Sequence, residues 1–413
     1  MVDLIDRPEY MKRLMEYRDK DVIKIVTGMR RCGKSSLLDL FKNYLFDSGV
    51  KEKNIIHMNM ESLRYRDMTD HIIFYEYVSA QIAASEKNYL IFDEIQEITH
   101  WEKAVESFRL DFDADIYITG SNAYMMSSEF STLLSGRYVE IRMLPLSFKE
   151  FLLFNSFSAD TVIDEKFQKY LQFGGMPVLR QFGFNDARSF EALEGIYNTV
   201  ILRDVLARNQ TADGALLHKL VLYLCGNIGS VNSPNNIGNV LSDEGEIQKI
   251  KKNAGKGVAD KTIDRYLQML KSAFVFYPVG RYDVKGKQLL KTLGKYYLID
   301  IGFRNMLLGY RDADRGHILE NIVFLELLRR DYRVYIGKVG NAEVDFIAEK
   351  PSEKLYVQVT ESMLSESVRE RELRPLKSIR DNYEKIILSM DRNYINSYDG
   401  IKSINIIDFL LGD

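Results

Sequence analysis

Gly28, Gly33, Lys34 and Ser35 stand at the spacing G-x-x-x-x-G-K-[ST] within the stretch GMRRCGKSSLL. An apolar run, VIKIVTG, precedes them, and an apolar-periodic run, SSLLDLFKNYLF, follows. Those residue types at that spacing suit the holding of a polyphosphate. The glycines let the backbone turn tightly and present N–H groups to phosphate oxygens, the lysine reaches the β- and γ-phosphates, and the hydroxyl ligates Mg²⁺. The expected lining is Gly28, Met29, Arg30, Arg31, Cys32, Gly33, Lys34, Ser35 and Ser36, backed by the positive N-terminal end of the next helix. The alternative is a charged surface turn; a strand before the loop and a helix after it speak against that.

Further candidates lie downstream. Asp93 and Glu94 end the run YLIFDE. A carboxylate at the tip of a buried strand suits a Mg²⁺ ligand, Asp93, and the next one a general base that polarises the attacking water, Glu94. The competing reading makes both acids caps of the following stretch, EIQEITHWEKAVESF, where negative charge near a helix start is favourable. TGSN brings Ser121 and Asn122 after another apolar run; Asn122 is a candidate for orienting the water, or part of an ordinary turn. Arg137, in LLSGRYVEI, is a candidate arginine finger supplied in trans to a neighbouring subunit, or a solvated loop residue.

These residues need a scaffold. After the first strand come NIIHMNM (54–60), YLIFDEI (89–95), DIYITGS (115–121) and RYVEIRML (137–144), separated by helix-length segments. Near-continuous apolar runs alternating with helices predict a parallel sheet buried on both faces. Ligands of such sheets bind at the carboxyl ends of the strands, where every candidate except Arg137 falls.

The order of phosphate loop, YLIFDE, ITGSN and LLSGRYVEI resembles an AAA+ ATPase core, which implies the strand order 5-1-4-3-2. More narrowly, GMRRCGKSSLL, FDEIQEITHWE, SGRYVEIRMLPLSFKEF and GGMPVLR resemble prokaryotic ATPases in which an AAA domain precedes a C-terminal domain of unknown function. The resemblance implies binding and hydrolysis of ATP with Mg²⁺, by a core at 1–155 and a helical lid at 156–211. It also places Gly175-Met176-Pro177, and so Pro177, near the adenine, although a glycine and a proline between helices need no ligand to explain them. ATP over GTP rests on the resemblance alone.

The pattern changes from about residue 212. SPNNIGNVLS and VADKTIDRYLQMLKSAFVF read as helices, and FYPVGRYDVKGKQLLKTLGKYYLID as a hairpin turning at Gly286. Two helices and a basic hairpin resemble a winged helix over 212–305. The segment Lys249–Lys295 holds 12 basic residues against three acids, a net +9, so the remainder of the chain carries −12. Such clustering is the electrostatic footprint of a nucleic-acid partner, or else a face docked on acidic surface. Over 306–413, Glu320, Asp345 and LYVQVT resemble a PD-(D/E)XK nuclease fold. Its Glu-x-Lys position reads Gln358-Val359-Thr360 here, so the fold is expected without cleavage; Glu361 and Lys354 are weak candidates for migrated groups.

Composition bounds the rest. The 413 residues are 46% hydrophobic and 28% charged. No apolar run reaches the ~18 residues of a membrane span, and the charged start MVDLIDRPEY does not resemble a signal peptide. Two distant cysteines and five scattered histidines show no metal-ligand spacing and fit a reducing, cytoplasmic setting. The expectation is an α/β protein, an AAA+ ATPase whose hydrolysis switches attached DNA- or protein-binding domains, with a homo-oligomer implied if Arg137 acts in trans. The alternatives are an ATP-gated nuclease and a nucleotide-sensing scaffold with little turnover.

Overall fold

The computed structural model describes residues 4–412 except 84–85, 124–133, 135, 208–211, 244–255, 312–313 and 393–394. The chain forms two compact units: residues 1–145 with 272–274, and residues 146–271 with 275–413.

The first unit runs α1 (Pro8–Glu16), β1 (Ile23–Thr27), α2 (Lys34–Asp47), β2 (Ile55–Asn59), α3 (His71–Ser79), β3 (Asn88–Asp93), α4 (Trp101–Asp111), β4 (Ala114–Gly120) and β5 (Tyr138–Arg142). The strands are all parallel, in the order β2-β3-β4-β1-β5, which is the expected 5-1-4-3-2 read from the other edge. Side chains alternate between two apolar cores. Ile23, Ile25, Leu90, Phe92, Ile116 and Ile118 pack with α3 and α4, while Val26, Tyr89, Ile91 and Tyr117 pack with α1 and α2. This two-sided burial is what makes the strands read as continuous apolar runs. Lys24 breaks the run and is wholly buried, paired with Asp115 at the N-terminal end of β4.

The second unit begins with helices α5 (Phe148–Phe154), α6 (Ile163–Phe173), α7 (Asp186–Thr199), α8 (Gly214–Gly226), α9 (Pro234–Asp243) and α10 (Lys256–Ser272). Then follow β6 (Phe276–Asp283), β7 (Gln288–Leu298), α11 (Ile301–Leu308), α12 (Arg315–Arg329), β8 (Arg333–Val339), β9 (Ala342–Lys350), β10 (Glu353–Val359), α13 (Glu366–Lys377), β11 (Glu384–Ser389), β12 (Ser397–Tyr398), β13 (Ile401–Asn405) and α14 (Ile406–Leu411). The strands join one mixed sheet in the order β12-β13-β11-β10-β9-β8-β6-β7.

The boundaries drawn from the sequence at 211 and 305 fall inside this unit. The hairpin β6–β7, expected as a wing of 212–305, runs parallel to β8 at Arg281↔Ile336 and forms an edge of the C-terminal sheet. The expected lid is likewise bound to residues beyond 300. Asp300 accepts hydrogen bonds from Gly175 N at 2.6 Å and Gly302 N at 2.8 Å, and Asn305 donates to the carbonyls of Leu171 and Gln172, each at 2.8 Å. The glycines are required by this packing. A Cβ on Gly174 would stand 1.9 Å from Asp300 Oδ1, and one on Gly302 would stand 2.1 Å from the Phe173 carbonyl oxygen. Pro177 opens a short 3₁₀ turn, Pro177–Phe182, in this unit.

Candidate active site of the first unit

Because β1 to β4 are parallel, their C-terminal ends bring Thr27-Gly28, Asn59, Asp93-Glu94 and Thr119-Gly120-Ser121 to one edge of the sheet. The loop after β1 is shaped by its backbone. Gly28 (φ +150°), Arg31 (φ +67°) and Gly33 (φ +107°) lie at positive φ, and alternation of this kind turns N–H groups toward a common centre. Gly28 has a second reason: a Cβ there would stand 2.3 Å from the Met143 carbonyl oxygen. The loop is pinned from outside by Arg7, which donates to the carbonyls of Cys32 (3.1 Å) and Leu144 (3.0 Å).

Lys34, the first residue of α2, is buried and donates to the carbonyls of Gly28 (3.1 Å) and Met29 (3.3 Å). Its Nζ stands 3.3 Å from Glu94 Oε1. Met29 and Cys32 are buried, the latter as a free thiol pushed up by its burial, while Arg31, Ser35 and Ser36 are exposed. Arg30 is turned to Glu61, 2.7 Å away.

Asp93 is held from two sides. Thr119 Oγ1 donates to its Oδ1 at 2.5 Å, and Asn59 Nδ2 donates to its Oδ2 at 2.8 Å. Burial pushes its carboxyl up, against the pull of Ser35 and Thr119. Glu94 sits in the left-handed region, φ +52°. Its N–H donates to Thr119 Oγ1 at 2.8 Å, and its Oε2 accepts from Gln96 Nε2 at 2.5 Å. Burial alone would raise Glu94; the charge of Lys34, the Gln96 hydrogen bond and Arg30 hold it below the ordinary value. Neither acid caps a long helix: after Glu94 comes only a 3₁₀ turn, Ile95–Glu97, and α4 begins at Trp101.

Asn122 and Ser121 are buried beyond the end of β4. Thr119 is the polar β4 residue that joins Asp93 to Glu94, and sequence reasoning missed it. Asn59, Gln96 and Arg7 were missed as well. A polar residue closing an apolar strand (Thr119 in YITG, Asn59 in HMN) was the available signal for the first two. Arg137 is not brought to this edge. Its carbonyl accepts from Ile23 N at the N-terminal end of β1, and its half-exposed side chain (53%) faces Asp21 at 3.9 Å. Ser35 and Asp93, hard oxygen donors at the same sheet edge, fit a small divalent cation.

Glu320 and Asp345, the residues expected at a nuclease-like site, meet an unexpected partner in the second unit. Lys295, on β7 and only 4% exposed, stands 2.8 Å from Glu320, 2.9 Å from Glu343 and 3.8 Å from Asp345. Tyr297 also donates to Glu320, at 2.6 Å. Gln358 donates to Glu372 at 2.8 Å and accepts from Asp345 N at 3.3 Å. Lys354 pairs with Glu349 at 2.8 Å and Glu361 lies 3.6 Å from Arg315, so neither has moved into the vacated Glu-x-Lys position. Among the described residues no group of three His, Cys, Asp or Glu is arranged to hold a metal ion. Of the basic segment, Lys249, Lys251 and Lys252 lie outside the described residues, Arg281 faces Glu343 at 3.9 Å, and Lys285 and Lys287 are exposed at the hairpin turn.

Among the described residues no helix is long and apolar enough to cross a membrane. Residues 20–152 match the AAA domain family, and residues 164–314 match a domain of unknown function, DUF8612. An uncharacterized protein of Haemophilus influenzae is 38% identical over 410 residues, 99% of each chain. One of Methanocaldococcus jannaschii is 29% identical over 91% of this chain and 80% of its own. Among solved structures, the Walker-type ATPase of Pyrococcus abyssi is 17% identical, covers 74% of this chain and 96% of its own, and has a TM-score of 0.48. Being 38% identical to the Haemophilus protein over nearly its full length, the chain belongs to one family with that protein, and residues 20–152 are an AAA domain carrying the phosphate-binding loop.

Proposed function

We propose that this protein hydrolyses ATP with Mg²⁺ and uses the nucleotide state of the first unit to switch the second. The observation that carries the proposal is the convergence of Lys34, Ser35, Asp93 and Glu94 at one sheet edge. The loop N–H groups and Lys34 bind the phosphates, Ser35 and Asp93 hold the metal, and Glu94 takes the proton of the attacking water. Mg²⁺, when bound, neutralises charge between the β- and γ-phosphates. Lys34 is shared in this structure between loop carbonyls and Glu94, so a bound γ-phosphate would draw it away and free the carboxylate for chemistry.

Pro177 is proposed to lie against the adenine, Asn122 to orient the attacking water, and Arg137 to serve a neighbouring copy. The position of Arg137 at the opposite sheet edge supports a role in trans over one in its own chain. The exposed lysines of the β6–β7 turn support a nucleic-acid contact. A gated nuclease would need carboxylates able to take divalent cations, and the engagement of Glu320 and Asp345 by Lys295 favours the ATPase switch instead.

The test is phosphate release from ATP with Mg²⁺ by wild type and Glu94→Gln, with and without duplex DNA, over a range of protein concentrations. Turnover that falls at least ~100-fold in Glu94→Gln while ATP still binds is expected. Turnover that rises with protein concentration supports Arg137 acting in trans. A wild type that binds ATP and never hydrolyses it, with or without DNA, would overturn the proposal.

A further inference from the structure

Glu94 is gripped at both oxygens, and the second grip is not explained by phosphate binding. Gln96 follows two residues later in the turn Ile95–Glu97. The left-handed backbone of Glu94 turns the chain so that the two side chains face each other, with Gln96 Nε2 2.5 Å from Glu94 Oε2. An ionised carboxylate only accepts hydrogen bonds, so the amide must present its nitrogen to Glu94. That fixes the amide oxygen on the other side. Gln96 Oε1 is buried and has no hydrogen-bond partner among the described residues. A buried carbonyl in that state is uncommon in native proteins and calls for a ligand or water.

We propose that Gln96 is a further catalytic residue for hydrolysis: its amide nitrogen orients the Glu94 carboxylate, and its amide oxygen receives one hydrogen of the attacking water. The inference rests on the reading of the chain as an ATPase. The water gives a proton to Glu94, its oxygen forms the new bond to the γ-phosphorus, and the bond from that phosphorus to the bridging oxygen of ADP breaks. The proton then passes from Glu94 to solvent with release of phosphate. Once Lys34 has turned to the phosphates, Gln96 remains to hold the carboxylate. A residue acting in this way changes the chemical step and leaves nucleotide binding alone.

The experiment compares the full chain with Gln96→Ala, with the near-isosteric Gln96→Met, and with each of these combined with Glu94→Gln. Single-turnover hydrolysis gives the rate of the chemical step, and titration with a fluorescent ATP analogue gives Kd. The expected result is a loss of about 100-fold in rate in both single variants. Kd should stay within about twofold, and the combined variants should fall no further than Glu94→Gln alone. An unchanged rate in both single variants would overturn the inference, as would a Kd that rises in step with the rate loss, or combined losses that multiply. Active wild type with unaffected Gln96 variants sinks this inference alone, whereas inactive wild type sinks the ATPase reading and this with it.

Discussion

Replacing Lys295 with methionine tests whether the carboxylate cluster of the second unit is held together by that lysine. Lys295 lies 2.8 Å from Glu320 and 2.9 Å from Glu343 and is nearly inaccessible. At an effective dielectric constant of about 20, each of those two contacts contributes ~6 kcal/mol before desolvation. Desolvation of the ions offsets most of that gain, but Lys295→Met leaves the acids facing one another without their nearest cation, with only the more distant Arg281 3.9 Å from Glu343. The expected net cost is about 3–5 kcal/mol, a large share of the ~5–15 kcal/mol that usually separates folded from unfolded domains. The chain has a single tryptophan, Trp101, on α4 of the first unit. In urea unfolding, Trp101 fluorescence therefore follows the first unit, while far-ultraviolet circular dichroism follows both. The loss should appear in the dichroism transition that the fluorescence does not report. Adding Glu320→Gln to Lys295→Met should recover part of it, because one of the unpaired charges is removed. A cost below ~1 kcal/mol would refute the assignment of Lys295 as the balancing charge.

Asp300 links stability to pH. Burial, opposed by hydrogen bonds from Gly175 and Gly302, pushes its carboxyl from 3.8 up to about 7. A group raised on folding contributes stability that is full below its unfolded value and lost as pH climbs through its folded one. The difference of ~3 units corresponds to ~4 kcal/mol at ~1.4 kcal/mol per unit. The second unit of wild type should therefore weaken between pH 4 and pH 8 relative to Asp300→Asn, as read from unfolding midpoints of the two proteins across that range; parallel profiles would contradict it. Gly28→Ala should displace the phosphate loop, since a Cβ would meet the Met143 carbonyl at 2.3 Å. Strain of ~1–3 kcal/mol predicts nucleotide binding weakened about 5- to 150-fold, measured by titration with a fluorescent ATP analogue.

Legibility in the sequence followed the range of the interactions. The phosphate loop was readable because its function is carried by consecutive backbone and one helix start: Gly28, Gly33, Lys34 and Ser35 need no distant partner to be recognised. Asp93 and Glu94 were readable because a strand end after an apolar run is a local signal. Thr119 and Asn59 were not, because each matters only through an acid on a neighbouring strand, at a distance set by the order β2-β3-β4. The resemblance supplied that order; spacing alone did not.

The same division holds in the second unit. Glu320, Asp345 and the altered Gln358-Val359-Thr360 were visible in sequence, but Lys295 was counted only as one more charge in a basic segment. A single lysine inside the apolar strand TLGKYYLID, like Lys24 in VIKIVTG, was the sign of a buried partner. By itself the sequence determined the parallel sheet, its phosphate loop and the two carboxylates, because periodicity and short-range spacing encode them. Only the tertiary structure decided that Lys295 neutralises three acids and that Asp300 ties Gly175 to the last third of the chain. Those pairings join residues tens to more than a hundred positions apart, and packing in three dimensions selects them.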